Sequence, residues 1–202
     1  MSAPSAKYDA LARRYDRRWS FYIRESIRRT LEHVALQPGQ TLLDVGCGTG
    51  RLLAEVSTRE PGAILIGVDP SANMLEAARS RVPSTVRLLP GTAEVIPVDS
   101  GAVDWLVSTS VFHYVQDPFA ARREFRRVLR PGGTLVLTDW STDFPTMRAQ
   151  ARWSKATETA VRHVYSAMEL QALLVAGGFD VTVDTYKISW YWGLMTVRAV
   201  RG

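Results

Sequence analysis

Five short β-rich runs punctuate the first 140 residues, and helical stretches separate most of them. The runs are TLLDV (41–45), AILIGVD (63–69), TVRLLP (85–90), VDWLVST (103–109) and GTLVLTD (133–139), with helices expected over 50–59, 71–80 and 118–130. Strands alternating with helices build βαβ units and therefore a mostly parallel sheet. Ser71 is placed to cap the helix that follows Pro70, and LRPGG ends the third helix before Thr134. Ser166 and Glu169 form a capping box that opens a further helix, SAMELQALLVAGGF, which stops at Gly177 and Gly178. Two last strands, 179–188 and 190–200, are joined by a very short turn, so they pair antiparallel at one sheet edge. Seven strands result.

The run LLDVGCGTGR follows a strand at once with Gly46, Gly48 and Gly50. Glycine adopts positive φ and lets backbone approach a ligand closely, so three in five residues at a helix start mark a small-molecule site. The dinucleotide fingerprint reads G-x-G-x-x-G, whereas this turn reads G-x-G-x-G with Asp44 still on the strand before it. An acid there repels a pyrophosphate and attracts a cation, such as an amino group or a sulfonium centre. One strand–helix–strand unit later GVDPS carries Asp69, whose two oxygens suit the vicinal hydroxyls of a ribose. Ligands of open parallel sheets sit at the carboxyl ends of the strands, where strand order reverses. Asp44 to Gly50, Asp69, and Ser108 to Tyr114 share that rim. Cys47, between two glycines and without an identifiable basic partner, reads as a small filler rather than a nucleophile.

In order and spacing, LLDVGCGTG, GVDPS, GTAEVIP, FHYVQDP and LRPGGTLVLTD resemble the S-adenosylmethionine-dependent methyltransferases of the Rossmann-like class. The likeness covers about Tyr8 to Phe179 and is strongest to the group that includes the ubiquinone and menaquinone methyltransferases. It implies an α/β fold: a seven-stranded, mostly parallel Rossmann-like sheet with an antiparallel C-terminal hairpin, helices on both faces and an N-terminal helical cover. It implies one domain, 1–202, divided into an N-terminal cover (1–40), a cofactor-binding core (41–139), an inserted acceptor cover (140–165), and a C-terminal helix and hairpin (166–202). S-adenosyl-L-methionine is the implied cofactor and S-adenosyl-L-homocysteine its product, with no metal expected. Implied contacts are Asp44, Gly46, Cys47, Gly48 and Gly50 around the amino acid part, Asp69 and Pro70 at the ribose, and Asn73 and Met74 beside the adenine. Thr92, Ala93 and Glu94 would meet the adenine edge, and Ser110 the active rim. Relatives commonly carry aspartate where this chain has Thr92, which leaves a hydroxyl as the weaker acceptor.

Methyl transfer from a sulfonium is one displacement, so alignment supplies much of the acceleration and a general base is optional. His113 is the candidate base because it follows the fourth strand on the rim and histidine titrates near neutrality. Its structural alternative is a ring that packs and fixes the loop. Tyr8, Tyr15, Trp19, His113, Tyr114 and Trp140 make a candidate acceptor pocket, with core packing as the plainer alternative. Together with Phe144, Trp153 and the aromatic run ISWYWGLM they favour a small, hydrophobic or aromatic acceptor. A phospholipid or nucleic-acid acceptor, or a non-catalytic cofactor-binding homologue, are the other readings. STSVF at residues 108–112 lacks the acid or amide, paired prolines and aromatic of enzymes that methylate exocyclic amino groups of DNA, which argues against a nucleic-acid partner.

Length and charge set the remaining bounds. The 202 residues, 46% of them hydrophobic, suffice for one well-filled domain. No run approaches the roughly 20 apolar residues of a membrane span, and the N-terminus lacks the apolar core of a secretory signal. With Cys47 the sole cysteine, a cytoplasmic location is expected. Of the net charge of +5, most lies in residues 1–40, where eight basic residues face four acidic ones. There Tyr8, Leu11, Tyr15, Trp19, Ile23, Ile27, Leu31 and Val34 form one helical stripe, with the Arg13–Arg14, Arg17–Arg18 and Arg28–Arg29 pairs mostly opposite. A cover over the cofactor is the preferred reading, and peripheral membrane contact through the basic side is the second.

Overall fold

A computed structural model describes residues 20–157 and 161–202. Tyr8, Tyr15, Trp19 and the arginine pairs at 13–14 and 17–18 lie outside the described residues. The elements are α1 (Ser20–Leu31), β1 (Thr41–Val45), α2 (Arg51–Arg59), β2 (Ile64–Asp69), α3 (Ala72–Arg79), β3 (Arg87–Pro90), β4 (Val103–Thr109), α4 (Pro118–Val128), β5 (Leu129–Trp140), α5 (Pro145–Thr157), α6 (Ala167–Val175), β6 (Phe179–Lys187) and β7 (Gly193–Arg201). A 3₁₀ turn, Phe112–Tyr114, follows β4.

The seven strands run in the order β3-β2-β1-β4-β5-β7-β6. Strands β1 to β5 are mutually parallel, and β7 is antiparallel to both β5 and β6. Alternate residues of the central strands feed two cores, because successive side chains point to opposite faces. Leu43, Val45, Ile66 and Leu106 pack with Phe125 of α4 and with Leu170 and Leu174 of α6. Leu42, Leu65, Trp105 and Val107 pack on the other side with Ile27 and Leu31 of α1, Leu53 and Val56 of α2, and Leu75 of α3. The described part of the N-terminal stripe, Ile23, Ile27, Leu31 and Val34, packs on this second core. α1 buries a second row as well, Tyr22, Ser26 and Thr30, that hydropathy did not mark.

Two connections depart from expectation. The chain from β6 to β7 takes five residues, Ile188 to Trp192, and closes with Ile188 N donating to Trp192 O at 3.0 Å. Trp190 to Trp192 thus leave the strand they were assigned to. Helix α4 ends at Val128, and LRPGG belongs to β5 rather than to the helix end. Pairing jumps from Val103↔Leu129 to Trp105↔Thr134, so the Pro-Gly-Gly stretch is looped out of register, with Gly132 at φ 74°. Among the described residues no helix is long and apolar enough to cross a membrane.

Strand order reverses between β1 and β4, and the register places Asp44 of β1 level with Gly67 of β2 and Val107 of β4. The carboxyl ends of β1, β2 and β4 therefore meet at one crevice, where an open α/β sheet presents its ligand site.

Candidate active site

A cavity opens over that crevice. Four segments line it: α1 through Tyr22, Ile23, Ser26 and Ile27; the glycine turn and the start of α2; Asp69 to Ser71 with Met74; and Thr109 to Val111 with Tyr114. Of the expected cofactor residues it gathers Asp44, Gly46, Cys47, Gly48, Asp69, Pro70, Met74 and Ser110.

The two acids differ in their surroundings. Asp69 accepts Gly48 N through Oδ2 and Ser71 N through Oδ1, each at 2.9 Å, and so clamps the glycine turn to the end of β2. Asp44 is buried, and burial in the first place, with the nearby Asp69 charge second, pushes its carboxyl up to about 8. A carboxyl so placed is poorly solvated and gains its charge readily only beside a cation. Burial also pushes the Cys47 thiol far up, helped by both acids, so it is not a nucleophile.

The three glycines of the turn all have positive φ, for different spatial reasons. A Cβ on Gly46 would stand 2.3 Å from Val111 Cγ2, and one on Gly50 would stand 3.0 Å from Ala78 Cβ. A Cβ on Gly48 would meet no protein atom within 4 Å. Gly46 and Gly50 are needed for packing, whereas Gly48 leaves room in the cavity.

Other expected contacts sit outside the lining. Thr92 is exposed and bridges to Val95, Ala93 is buried in a core cluster, and Asn73 is exposed. Glu94 Oε1 accepts Gln116 N at 2.8 Å and Asp117 N at 3.4 Å, which ties the segment after β3 to the loop after β4.

Next to the cavity lies a buried polar and aromatic cluster. His113 Nδ1 is 2.7 Å from Asp139 Oδ1, and His113 N donates to Asp139 Oδ2 at 3.0 Å. Its ring stacks on Trp140 at 4.2 Å and lies 4.0 Å from Tyr114. His113 is only 2% exposed, and its Nε2 has no hydrogen-bond partner among the described residues. Trp140 Nε1 donates to Tyr22 Oη at 2.9 Å, and Tyr22 Oη is 2.6 Å from Ser110 Oγ. Ser110 holds φ 61°, a left-handed conformation that costs a non-glycine residue about 1–2 kcal/mol. Trp192 packs 4.8 Å from Tyr22 and 5.7 Å from Trp140. Thr109 of the cavity continues into a buried hydroxyl chain, through Thr30 and Thr138 to Thr196, with steps of 3.1, 2.8 and 2.9 Å. That chain locks α1 onto β4, β5 and β7. Trp153 by contrast is exposed on α5, and His33 faces Asp184 at 3.7 Å, away from the cavity lining.

Tyr22, Ser26 and Asp139 are the residues that sequence reasoning missed, whereas Thr109 lies within the expected rim. For Tyr22 and Ser26 the available signal was a second α1 row one residue ahead of the apolar stripe, with hydroxyls in place of alkyl groups.

Residues 43–137, the part that carries the glycine turn and both acids, match the methyltransferase domain family. That stretch, just under half of the chain, is similar to methyltransferase domains. An uncharacterised methyltransferase of Mycobacterium tuberculosis is 46% identical over 101 residues, covering 50% of this chain and 40% of the relative. A ubiquinone/menaquinone biosynthesis C-methyltransferase of Geotalea daltonii is 28% identical over 190 residues, covering 89% of this chain and 75% of the relative. Among solved structures, a candidate methyltransferase of Haloferax volcanii in complex with the Trm112 methyltransferase activator superposes with a TM-score of 0.85 at 21% identity, each chain covered in full. The chain spans less than half the length of the first curated relatives it matches, 40% in the mycobacterial case.

Proposed function

We propose that the chain transfers the methyl group of S-adenosylmethionine to a small, apolar or aromatic acceptor by direct displacement. The observation that carries this reading is one cavity holding Asp44, Asp69 and the open space at Gly48 on one side, and Tyr22 and Tyr114 on the other. These residues fit the cofactor's chemistry. Asp44 offers a buried carboxyl to an amino group or sulfonium, and Asp69 brings to the same cavity a carboxylate whose two oxygens suit a diol. Met74, 3% exposed, supplies apolar surface for an adenine. When bound, the cofactor supplies an electrophilic methyl on a good leaving group. The chain's own work is to orient and to exclude water: the α1 row closes one wall and is held there by Trp140, Ser110 and the threonine chain. The aromatic wall supports the apolar class of acceptor.

Calorimetry with S-adenosylmethionine and S-adenosylhomocysteine tests the cofactor half of the proposal. Asp69→Ala should weaken binding by about 1.5–3 kcal/mol, because charge-assisted bonds are lost and the Gly48 and Ser71 amides are left without their acceptor. No affinity in the wild type, or none lost in a folded variant, defeats the reading.

His113 and Trp140, expected in the acceptor pocket, lie beside the cavity rather than in its lining, and His113 is the candidate base from that position. With Nδ1–H donating to Asp139, the free lone pair of the ring is at Nε2, buried and unpartnered among the described residues. If the acceptor must lose a proton, His113→Ala should lower turnover by about 10²–10⁴-fold with cofactor affinity nearly unchanged. Turnover equal to wild type from pH 6 to 9 would leave His113 only its packing role against Trp140.

A further inference from the structure

We propose that Arg148, Arg152 and Arg162, with His163, form a second binding site, for a phosphate-class oxyanion, separate from the cavity of Asp44 and Asp69. These side chains line a more open cavity between α5 and the segment that precedes α6. Arg148 and Arg152 stand one turn apart on α5, a helix of 13 residues with neither Asp nor Glu, so both project from one face. Arg162 arrives from the other wall. Its segment is held down by Arg162 N and His163 N, which donate to His113 O at 2.8 and 3.4 Å, and by Thr142 N, which donates to Tyr165 O at 3.0 Å.

None of the three guanidiniums makes an ion pair or hydrogen bond with a described residue. Glu169, the acid among the described lining residues, is already engaged. It accepts Ser166 N at 2.7 Å and Ser166 Oγ at 2.9 Å as part of the α6 capping box, and its other oxygen lies 3.8 Å from His163 Nε2. Like charges gathered around a concave surface repel one another and raise the local potential for anions. A guanidinium fork matches two oxygens of a phosphate, so three forks suit an anion with several oxygens, a phosphate monoester or a diphosphate, better than a lone carboxylate. The site also borders the candidate base, since the backbone that presents Arg162 is bonded to the His113 carbonyl. Its existence does not depend on the methyltransferase reading.

Titration with pyrophosphate at low ionic strength, by calorimetry, tests it in the full chain. Saturable binding is expected, and Arg148→Gln/Arg152→Gln/Arg162→Gln should weaken it roughly a hundredfold or more. A second triple variant, Arg24→Gln/Arg87→Gln/Arg123→Gln, removes the same charge from α1, β3 and α4 and should bind as the wild type does. S-adenosylmethionine affinity, measured separately, should not change in either variant, so failure of the anion site and failure of the cofactor reading are distinguishable. Absence of saturable binding, or equal loss in both triple variants, overturns the proposal. Association with phosphatidylglycerol vesicles but not with pyrophosphate overturns it too and assigns the arginines to a lipid surface.

Discussion

Asp44→Asn is expected to stabilise the ligand-free protein and to weaken its hold on S-adenosylmethionine. Both effects come from the carboxyl that burial pushes from an ordinary 3.8 up to about 8. In the unfolded chain the group loses its proton near its ordinary value; in the fold it keeps the proton to about 8. Between those limits the folded state binds more protons, so wild-type stability falls as pH rises through the window and levels off above it. At about 1.4 kcal/mol per pH unit, the loss amounts to several kcal/mol by pH 8. Asparagine does not titrate, so the stability gain of the variant should grow from pH 4 to pH 8 and then stay constant. Cofactor binding responds in the opposite sense. A cationic group beside Asp44 favours the carboxylate, so below pH 8 the wild type must release a proton to bind, and affinity should rise by up to tenfold per pH unit until it levels near 8. The variant should lack this slope and, above pH 8, bind about ten- to a hundredfold more weakly. Calorimetry in two buffers of different ionisation enthalpy counts the released proton. A wild type that releases none, or a variant that keeps the pH slope, would remove Asp44 from the cation site.

Local signals were sufficient where local physics decides. Strands 41–45 and 103–109 appear as expected because each is an apolar run bounded by turn residues. The Ser166–Glu169 capping box forms because both of its bonds lie within four residues. The glycine turn announced a ligand site but not the division of labour within it. Gly46 answers to Val111 and Gly50 to Ala78, contacts set by how β4 and α3 pack and invisible in the spacing. The same limit hid Asp139, which reaches His113 across 26 positions, and Tyr22, whose partners Ser110 and Trp140 lie far along the chain. The β6–β7 connection was misjudged because its aromatics carry strand propensity. Tertiary contacts outweigh it: Trp192 turns onto Tyr22, and Tyr191 O accepts Thr146 Oγ1 at 2.7 Å. Glu94 shows how a motif residue is drawn elsewhere, since its carboxylate holds two backbone amides of the loop after β4.

Single alanine substitutions in the glycine turn should separate folding from binding. Gly46→Ala places a Cβ 2.3 Å from Val111 Cγ2 and 2.8 Å from Cγ1, and a β-branched side chain has no free rotamer into which to retreat. Overpacking of this kind costs about 1–3 kcal/mol. The φ of 79° adds about 1–2 kcal/mol for any residue with a Cβ. The variant should therefore lose about 2–5 kcal/mol of stability, seen as a lower midpoint in urea, and Val111→Ala in the same chain should recover the packing part but not the backbone part. Gly48→Ala meets no protein atom within 4 Å and pays only for its φ of 52°, so it should fold with a loss of about 1–2 kcal/mol. Its methyl group instead projects into the space beside Asp44 and Asp69 and should depress S-adenosylmethionine affinity by more than its modest stability cost suggests. A Gly48→Ala protein that binds the cofactor as tightly as wild type would show that this space is not where the cofactor lies, whatever happens at Gly46.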